Sequence, residues 1–198
     1  MTEALAPAAL DQLFREARTC QWFDGREVSD AQITAIWDLM KMAPTSMNQL
    51  PARIVWCKSA EAKERLAGHA AEGNKDKVRN APVCAIIAMD TDFHEYLPEF
   101  FPPSPNAKAM FDGKDEMRRT QAFRNSSLQG GYFIMAARAL GLDCGPMSGF
   151  DNAAVDADFF ADSPSWKSNF ICSVGYGDPA KLHPRLPRPE FARFNRLI

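Results

Sequence analysis

With 198 residues, 46% hydrophobic and 24% charged, the chain has the make-up of one globular domain able to bury a substantial core, and disorder is not the expectation. A formal net charge of −2 gives no basic face for a phosphate backbone, and no run approaches the roughly 18 apolar residues of a membrane span, so neither nucleic acid nor membrane is an expected partner. The stretch MTEALAPAALDQLFREARTC carries acids and lacks a basic start before an apolar run; it reads as neither signal nor transit peptide, and the expected location is the cytoplasm.

Leu10, Leu13, Phe14 and Ala17 recur at helical spacing and predict a helix over 7–19. Ser29 and Gln32 form a capping box, Val28 can staple onto Ile33, and Ile33, Ile36, Trp37 and Met40 make one apolar stripe; this second helix should stop before Pro44. ARIVWCK (52–58) and PVCAIIAM (82–89) read as strands, the second more buried, with a helix in SAEAKERLAGHA between them. Residues 92–115 set Pro98, Pro102, Pro103 and Pro105 among Phe93, Phe100, Phe101 and Phe111, which suits a substrate-side excursion or lid better than a long helix or strand.

From about Glu116 to Leu140 the pattern predicts one long helix, roughly 37 Å at 1.5 Å per residue. Its second half, YFIMAARAL, is apolar almost all round, so it should be buried on most sides, and in so small a domain a partner subunit should cover part of it. Gly130 and Gly131 each cost on the order of 1 kcal/mol relative to alanine there and are expected to permit close packing. A short strand inside GLDCGPMSGFD (141–151), a helix at 151–160, a strand NFICSVGYG (169–177) and a proline-rich arm at 180–198 complete a single domain, 1–198, without internal repeats.

Cys20, Cys57, Cys84, Cys144 and Cys172 are odd in number and form no C-x-x-C pair, and three lie in strand-like runs, so they read as buried structural thiols. His69, His94 and His183 are too scattered for a ligand motif, and no metal is expected. GYGDPA (175–180) matches G-x-G-x-x-A after a strand, but Pro179, Pro184, Pro187 and Pro189 forbid the helix that a dinucleotide fingerprint needs. GPMSG (145–149) has three readings. A serine elbow needs G-x-S-x-G, and here the serine is one place late. The others are a plain loop, or a place where main-chain N–H groups meet an electron-rich cofactor edge, since glycine permits close approach.

The order helix, helix, PTSMN, strand, helix, GNKDK, strand, long helix, GLDCGPMSGFD, strand, RLP resembles the FMN-dependent nitroreductase family over nearly the whole chain. Within it, ARTCQW, KMAPTSMNQLPARIV, GNKDKVRNAPV, AFRNSSLQGGYFIMAARALGLDCGPMSGFD and VGYGDPAKLHPRLPR look most like the malonic semialdehyde reductase branch of pyrimidine breakdown. The resemblance implies an α+β fold with a central mixed sheet flanked by helices, the long helix lying in the interface of a homodimer that holds two FMN molecules, each touched by both subunits. It assigns Arg18 and Arg185 to the flavin phosphate, work that suits arginine's planar fork. Thr19 and Cys20 stand where the family often has a basic residue and a serine, and Trp22 or a neighbour replaces its second basic residue, which thins the phosphate site.

The same resemblance brings Asn74 and Lys77 to the flavin pyrimidine, where a lysine stabilises the negative charge of the reduced ring; otherwise Lys75 and Lys77 are solvated charges in a turn. Pro44, Thr45, Ser46 and Asn48 match a segment that reaches the flavin from the second subunit, although the glutamine that often follows is Leu50. Pro146, Met147, Ser148 and Gly149 fall where the family lays backbone along the hydride-accepting nitrogen, which makes a catalytic serine unexpected. The implied reaction is hydride transfer from NADH or NADPH to FMN and on to a small acceptor at the same face, a ping-pong scheme that needs no protein nucleophile. The implied acceptor is malonic semialdehyde, reduced to 3-hydroxypropanoate, with Arg124 preferred over Arg118 and Arg119 for its carboxylate. An aldehyde also needs a proton donor, and no histidine is placed for that. The rivals are nitroaromatic or quinone acceptors and, in another class, a flavin-binding carrier or sensor without turnover.

Overall fold

In the computed structural model, which describes residues 3–198, four strands form one sheet in the order β1-β2-β4-β3: β1 (Ala52–Cys57), β2 (Val83–Asp90), β3 (Asp143–Met147) and β4 (Trp166–Gly175). Every named pair is antiparallel, and the parallel component of the sheet is one bridge, Thr19 to Cys144, on the β3 edge. All of β2 is buried, and its two-residue period divides the molecule into two cores. Val83, Ala85 and Ile87 pack with Ile36 and Met40 of helix α2 (Asp30–Met40) and Phe133 of the long helix, whereas Cys84, Ile86 and Ala88 face the opposite layer. That layer consists of α3 (Ala60–His69), α4 (Glu72–Arg79) and α7 (Asn152–Phe159), which contribute Leu66, Val78 and Val155.

The first helix is shorter than its periodicity predicts. It begins as α1 (Pro7–Leu10), continues as a π-helical stretch (Asp11–Arg15) and ends there, because the next residues leave to pair with β3: the Cys20 N–H donates to Cys144 O at 2.9 Å. α2 keeps its capping box, and Val28 and Ile33 meet in the first core. GNKDK, expected as a turn, lies inside α4, where Val78 anchors one side while Lys75 pairs with Glu72 at 2.8 Å and Arg79 with Glu64 at 2.8 Å.

Between β2 and the long helix, the proline-rich excursion includes α5 (Leu97–Phe100) and makes a third core. Phe93 and Phe111 meet edge-on with ring centroids 5.2 Å apart, above Ala122. The long helix, α6 (Asp115–Ala139), lies within a residue of its expected bounds. Its buried side carries Asn125 and Gln129, which accept from the Ser46 and Ala52 N–H groups, and Ser126, which accepts from the Asn169 side-chain amide; its opposite side leaves Met117, Phe123, Leu128 and Tyr132 exposed. Gly130 is needed for packing, since a Cβ there would lie 2.5 Å from the Phe170 ring, but Gly131 faces open space. The arm after β4, including α8 (Phe191–Phe194), is exposed from His183 onward. Among the described residues, no helix is long and apolar enough to cross a membrane.

Candidate functional site

Three hollows adjoin at the β3 edge. The first, about 230 Å³, is lined by Arg18, Arg138, Arg185 and Arg188, with no carboxylate in its wall among the described residues. Thr19 and Gln21 connect it to a second, about 220 Å³, walled by Asn74, Lys77, Ser173 and the 145–149 segment. Pro146, Met147 and Ser148 in turn border a third, about 350 Å³, floored by Gly130, Gly131 and Ile134 of α6.

Glycines make this edge possible. The approach of Cys20 to β3 leaves no room at Gly145, where a Cβ would stand 2.2 Å from Cys20 O, and a Cβ on Gly149 would stand 2.8 Å from Asn74 Nδ2. That amide donates to Gly149 O at 3.0 Å, and its own Oδ1 accepts from Lys77 Nζ at 3.0 Å. A single turn of α4 thereby fixes both the backbone of the segment and the ammonium beside it. Lys77 has no carboxylate partner among the described residues, and the N–H groups of Ser148 and Gly149 find no protein acceptor there. Burial and the neighbouring Asp143 push the Cys20 thiol up to about 12, so it stays protonated and is no nucleophile. All five cysteines are free and buried.

Of the residues singled out in the sequence, Arg18, Thr19, Cys20, Asn74, Lys77, Pro146, Met147, Ser148, Gly149 and Arg185 converge on the first two hollows. Pro44, Thr45, Ser46 and Asn48 do not. Their segment is pinned elsewhere: the Ser46 N–H donates to Asn125 Oδ1 at 2.9 Å, Asn48 Nδ2 to Phe100 O at 2.8 Å, and the Leu50 N–H to Thr45 Oγ1 at 3.1 Å. It is also strained, with Met47, Asn48 and Leu50 at φ of 52°, 51° and 45°. Arg118 is committed to Asp92 at 2.9 Å and Asp115 at 2.6 Å, whereas Arg119 and Arg124 are exposed and make no ion pair among the described residues. Sequence reasoning passed over Arg138, Arg188, Gln21 and Ser173. The signal for Arg138 was present, as the one charge inside YFIMAARAL. Trp22, where a second basic residue was expected, lies instead beneath Lys181, whose Nζ is 5.6 Å from the ring centroid.

A larger hollow, about 650 Å³, runs along β1 among Trp37, Trp56, Tyr96, Phe100 and Trp166. It is apolar wall with few converging polar groups, and its Arg53 is already taken by Asp90 at 2.8 Å and Leu50 O at 2.9 Å. Size alone does not make it the site; the smaller hollows have the charge and the free donors.

The Nitroreductase family matches residues 14–176. A protein of Rhodopseudomonas palustris (strain TIE-1), provisionally named NADH dehydrogenase/NAD(P)H nitroreductase, is 53% identical over 198 residues, 100% of each chain. HadB of Ralstonia pickettii, under the same provisional name, is 54% identical over 188 residues, 94% of this chain and 95% of its own. Among solved structures, ydfN of Bacillus subtilis, provisionally a nitroreductase, superposes with a TM-score of 0.85 at 19% identity, covering 98% of this chain and 100% of its own. A provisional nitroreductase of Exiguobacterium sibiricum in complex with FMN gives 0.82 at 19% identity, covering 95% and 96%. The two superpositions show the fold, and the family match and the near relatives show the lineage: this chain belongs to the nitroreductase family.

Proposed function

We propose that the chain is an FMN-dependent NAD(P)H oxidoreductase. The observation that carries this reading is the order of chemistry along the three hollows: four guanidiniums, then a lysine–asparagine pair beside free main-chain N–H groups, then a glycine-floored apolar surface. FMN presents the matching sequence of phosphate, pyrimidine edge and flat ring. When bound, FMN supplies a ring that accepts hydride from NADH or NADPH and hands it on. The arginines bind the phosphate, for which their forked donors are shaped. Lys77, held by Asn74, offsets negative charge at the pyrimidine edge, and the Ser148 and Gly149 N–H groups are donors already free of protein partners. Pro146 and Met147, which line both the second and the third hollow, would shield the ring from water. No side-chain nucleophile is required: the Cys20 thiol is held protonated, and the Ser148 hydroxyl makes no hydrogen bond among the described residues. The names of the near relatives, which include NAD(P)H nitroreductase, and the FMN of the Exiguobacterium protein support the assignment.

A homodimer is part of this reading. Pro44, Thr45, Ser46 and Asn48 lie away from this chain's own hollows, which suits delivery to the site of a second copy, and the exposed Phe123, Leu128 and Tyr132 give α6 a face to pair with. The acceptor we assign is malonic semialdehyde, with Arg124, exposed on α6 and without an acidic partner among the described residues, orienting its carboxylate. A nitro compound or quinone is the second reading, favoured by the relatives' names. An acceptor screen on the FMN-loaded protein, run with Arg124→Leu alongside, tests the choice. The expected result is semialdehyde turnover whose kcat/KM falls about tenfold or more in the variant, with quinone turnover little changed. Turnover of nitro compounds or quinone with none of the semialdehyde would establish the second reading.

A further inference from the structure

We propose that Arg138, at the C-terminal end of α6, is a phosphate-binding residue of the flavin site and supplies the charge that Trp22 does not; the inference rests on the FMN reading above. Four arginines share the first hollow, in a chain whose net charge is −2, and no carboxylate among the described residues shares it with them. Each of the other three donates to main chain from one nitrogen: Arg18 Nη2 to His183 O, Arg185 Nη2 to Ala17 O at 3.2 Å, and Arg188 Nη1 to Leu186 O at 3.0 Å. Arg138 differs. Its Nη1 donates to Leu13 O at 3.0 Å, but its Nε is shut away from solvent with no hydrogen-bond partner.

A guanidinium presents five donors, so the bond to Leu13 leaves the greater part of the fork unused. Arg138 also lines the hollow, and with no acid in that wall the acceptor open to the rest of its guanidinium is an anion that enters it. Arg138 is also the most rigidly mounted of the four, since it stands on a 25-residue helix while the others stand on the N-terminal segment and the exposed arm. The N-terminal segment is fastened to this residue twice, by the Leu13 bond and by Gln12 Nε2, which donates to Arg138 O at 2.7 Å. Holding the phosphate at Arg138 therefore also seats the segment that carries Arg18.

The test is to titrate flavin-free wild type, Arg138→Met and Arg138→Lys with FMN and with riboflavin, which lacks the phosphate, following flavin fluorescence, and to record the melting temperature of each flavin-free protein. The expected result is a loss of tenfold or more in FMN affinity for Arg138→Met with riboflavin affinity within twofold of wild type, and partial recovery in Arg138→Lys. Equal weakening of both flavins, or of neither, would overturn the assignment and leave Arg138 as a brace for Leu13. Should Arg138→Met fail to fold, the FMN-to-riboflavin ratio of Arg138→Lys decides: a ratio below that of wild type supports the role, and an unchanged ratio overturns it. Wild type that binds neither flavin would overturn the FMN reading itself, a failure visible before any variant is compared.

Discussion

Replacing Lys77 with methionine removes the one ammonium of the middle hollow while keeping the length of the side chain. Nζ is held by Asn74 Oδ1 at 3.0 Å, and Asn74 is itself held by Gly149 O, so the charge is positioned before any ligand arrives. Lys77 is half-buried and has no carboxylate partner among the described residues, which leaves its charge available to a bound ring. A unit charge about 4 Å away is worth about 4 kcal/mol at an effective dielectric near 20 and about 1 kcal/mol in bulk water, before desolvation. A half-buried site lies between these limits. If about 1.4 kcal/mol of that favours the reduced flavin, the two-electron potential falls by about 30 mV in Lys77→Met. Equilibration of the flavin-loaded variant with a reference dye, followed by its visible spectrum, measures the shift. An unchanged potential with normal FMN affinity would refute the reasoning and make Lys77 a surface charge held by α4.

Arg185→Ala should weaken FMN by one to two decades and riboflavin far less, because the loss of one charged hydrogen bond costs about 1.5 to 3 kcal/mol; equal losses in isothermal titration would remove Arg185 from the phosphate site. Leu128→Glu, on the exposed face of α6, should shift sedimentation from dimer to monomer at micromolar concentration, and sedimentation of wild type as a monomer would remove the basis for pairing through that face. Burial holds the Cys57 thiol at about 11 and those of Cys20 and Cys84 at about 12, against about 8.5 in an unfolded chain, so folding favours the protonated form. That contribution is complete below the unfolded value and is lost as pH rises from about 8.5 through the folded values. Mass spectrometry after iodoacetamide at pH 8 should find the folded chain unmodified and the denatured chain labelled at all five cysteines; rapid native labelling would contradict the burial.

The most legible parts of the fold were those where local and tertiary demands agree. The unbroken apolar run of β2 is a central strand, and the Ser29–Gln32 box opens α2 as its side chains dictate. Where the fold departs from local pattern, long-range pairing decides. Helical spacing continues to Ala17, but the bond from Cys20 to Cys144 ends the helix at Arg15, and no local signal in 7–19 announces a strand more than 120 residues away. GNKDK looks like a turn because only Val78 gives it a buried side. On α6 the buried polar side chains have partners in distant segments: Gln129 Oε1 accepts from the Ala52 N–H at 2.9 Å, a contact that periodicity cannot encode. The site shows the same division. Motif likeness located ten residues of the two polar hollows but passed over Gln21, Ser173 and Arg188, and Arg138, the one charge in a stretch that reads as core, took on meaning only where the fold sets it in the wall of the arginine hollow.

The most direct test of the central claim is anaerobic mixing of the FMN-loaded protein with NADH and, separately, NADPH, while the visible flavin absorbance is followed. An FMN-dependent NAD(P)H oxidoreductase binds FMN stoichiometrically and is bleached rapidly by at least one of the two nucleotides, with colour restored when an acceptor is added. A protein that takes up no FMN, or one whose bound FMN keeps its colour with both nucleotides, as a carrier or sensor would, contradicts the claim.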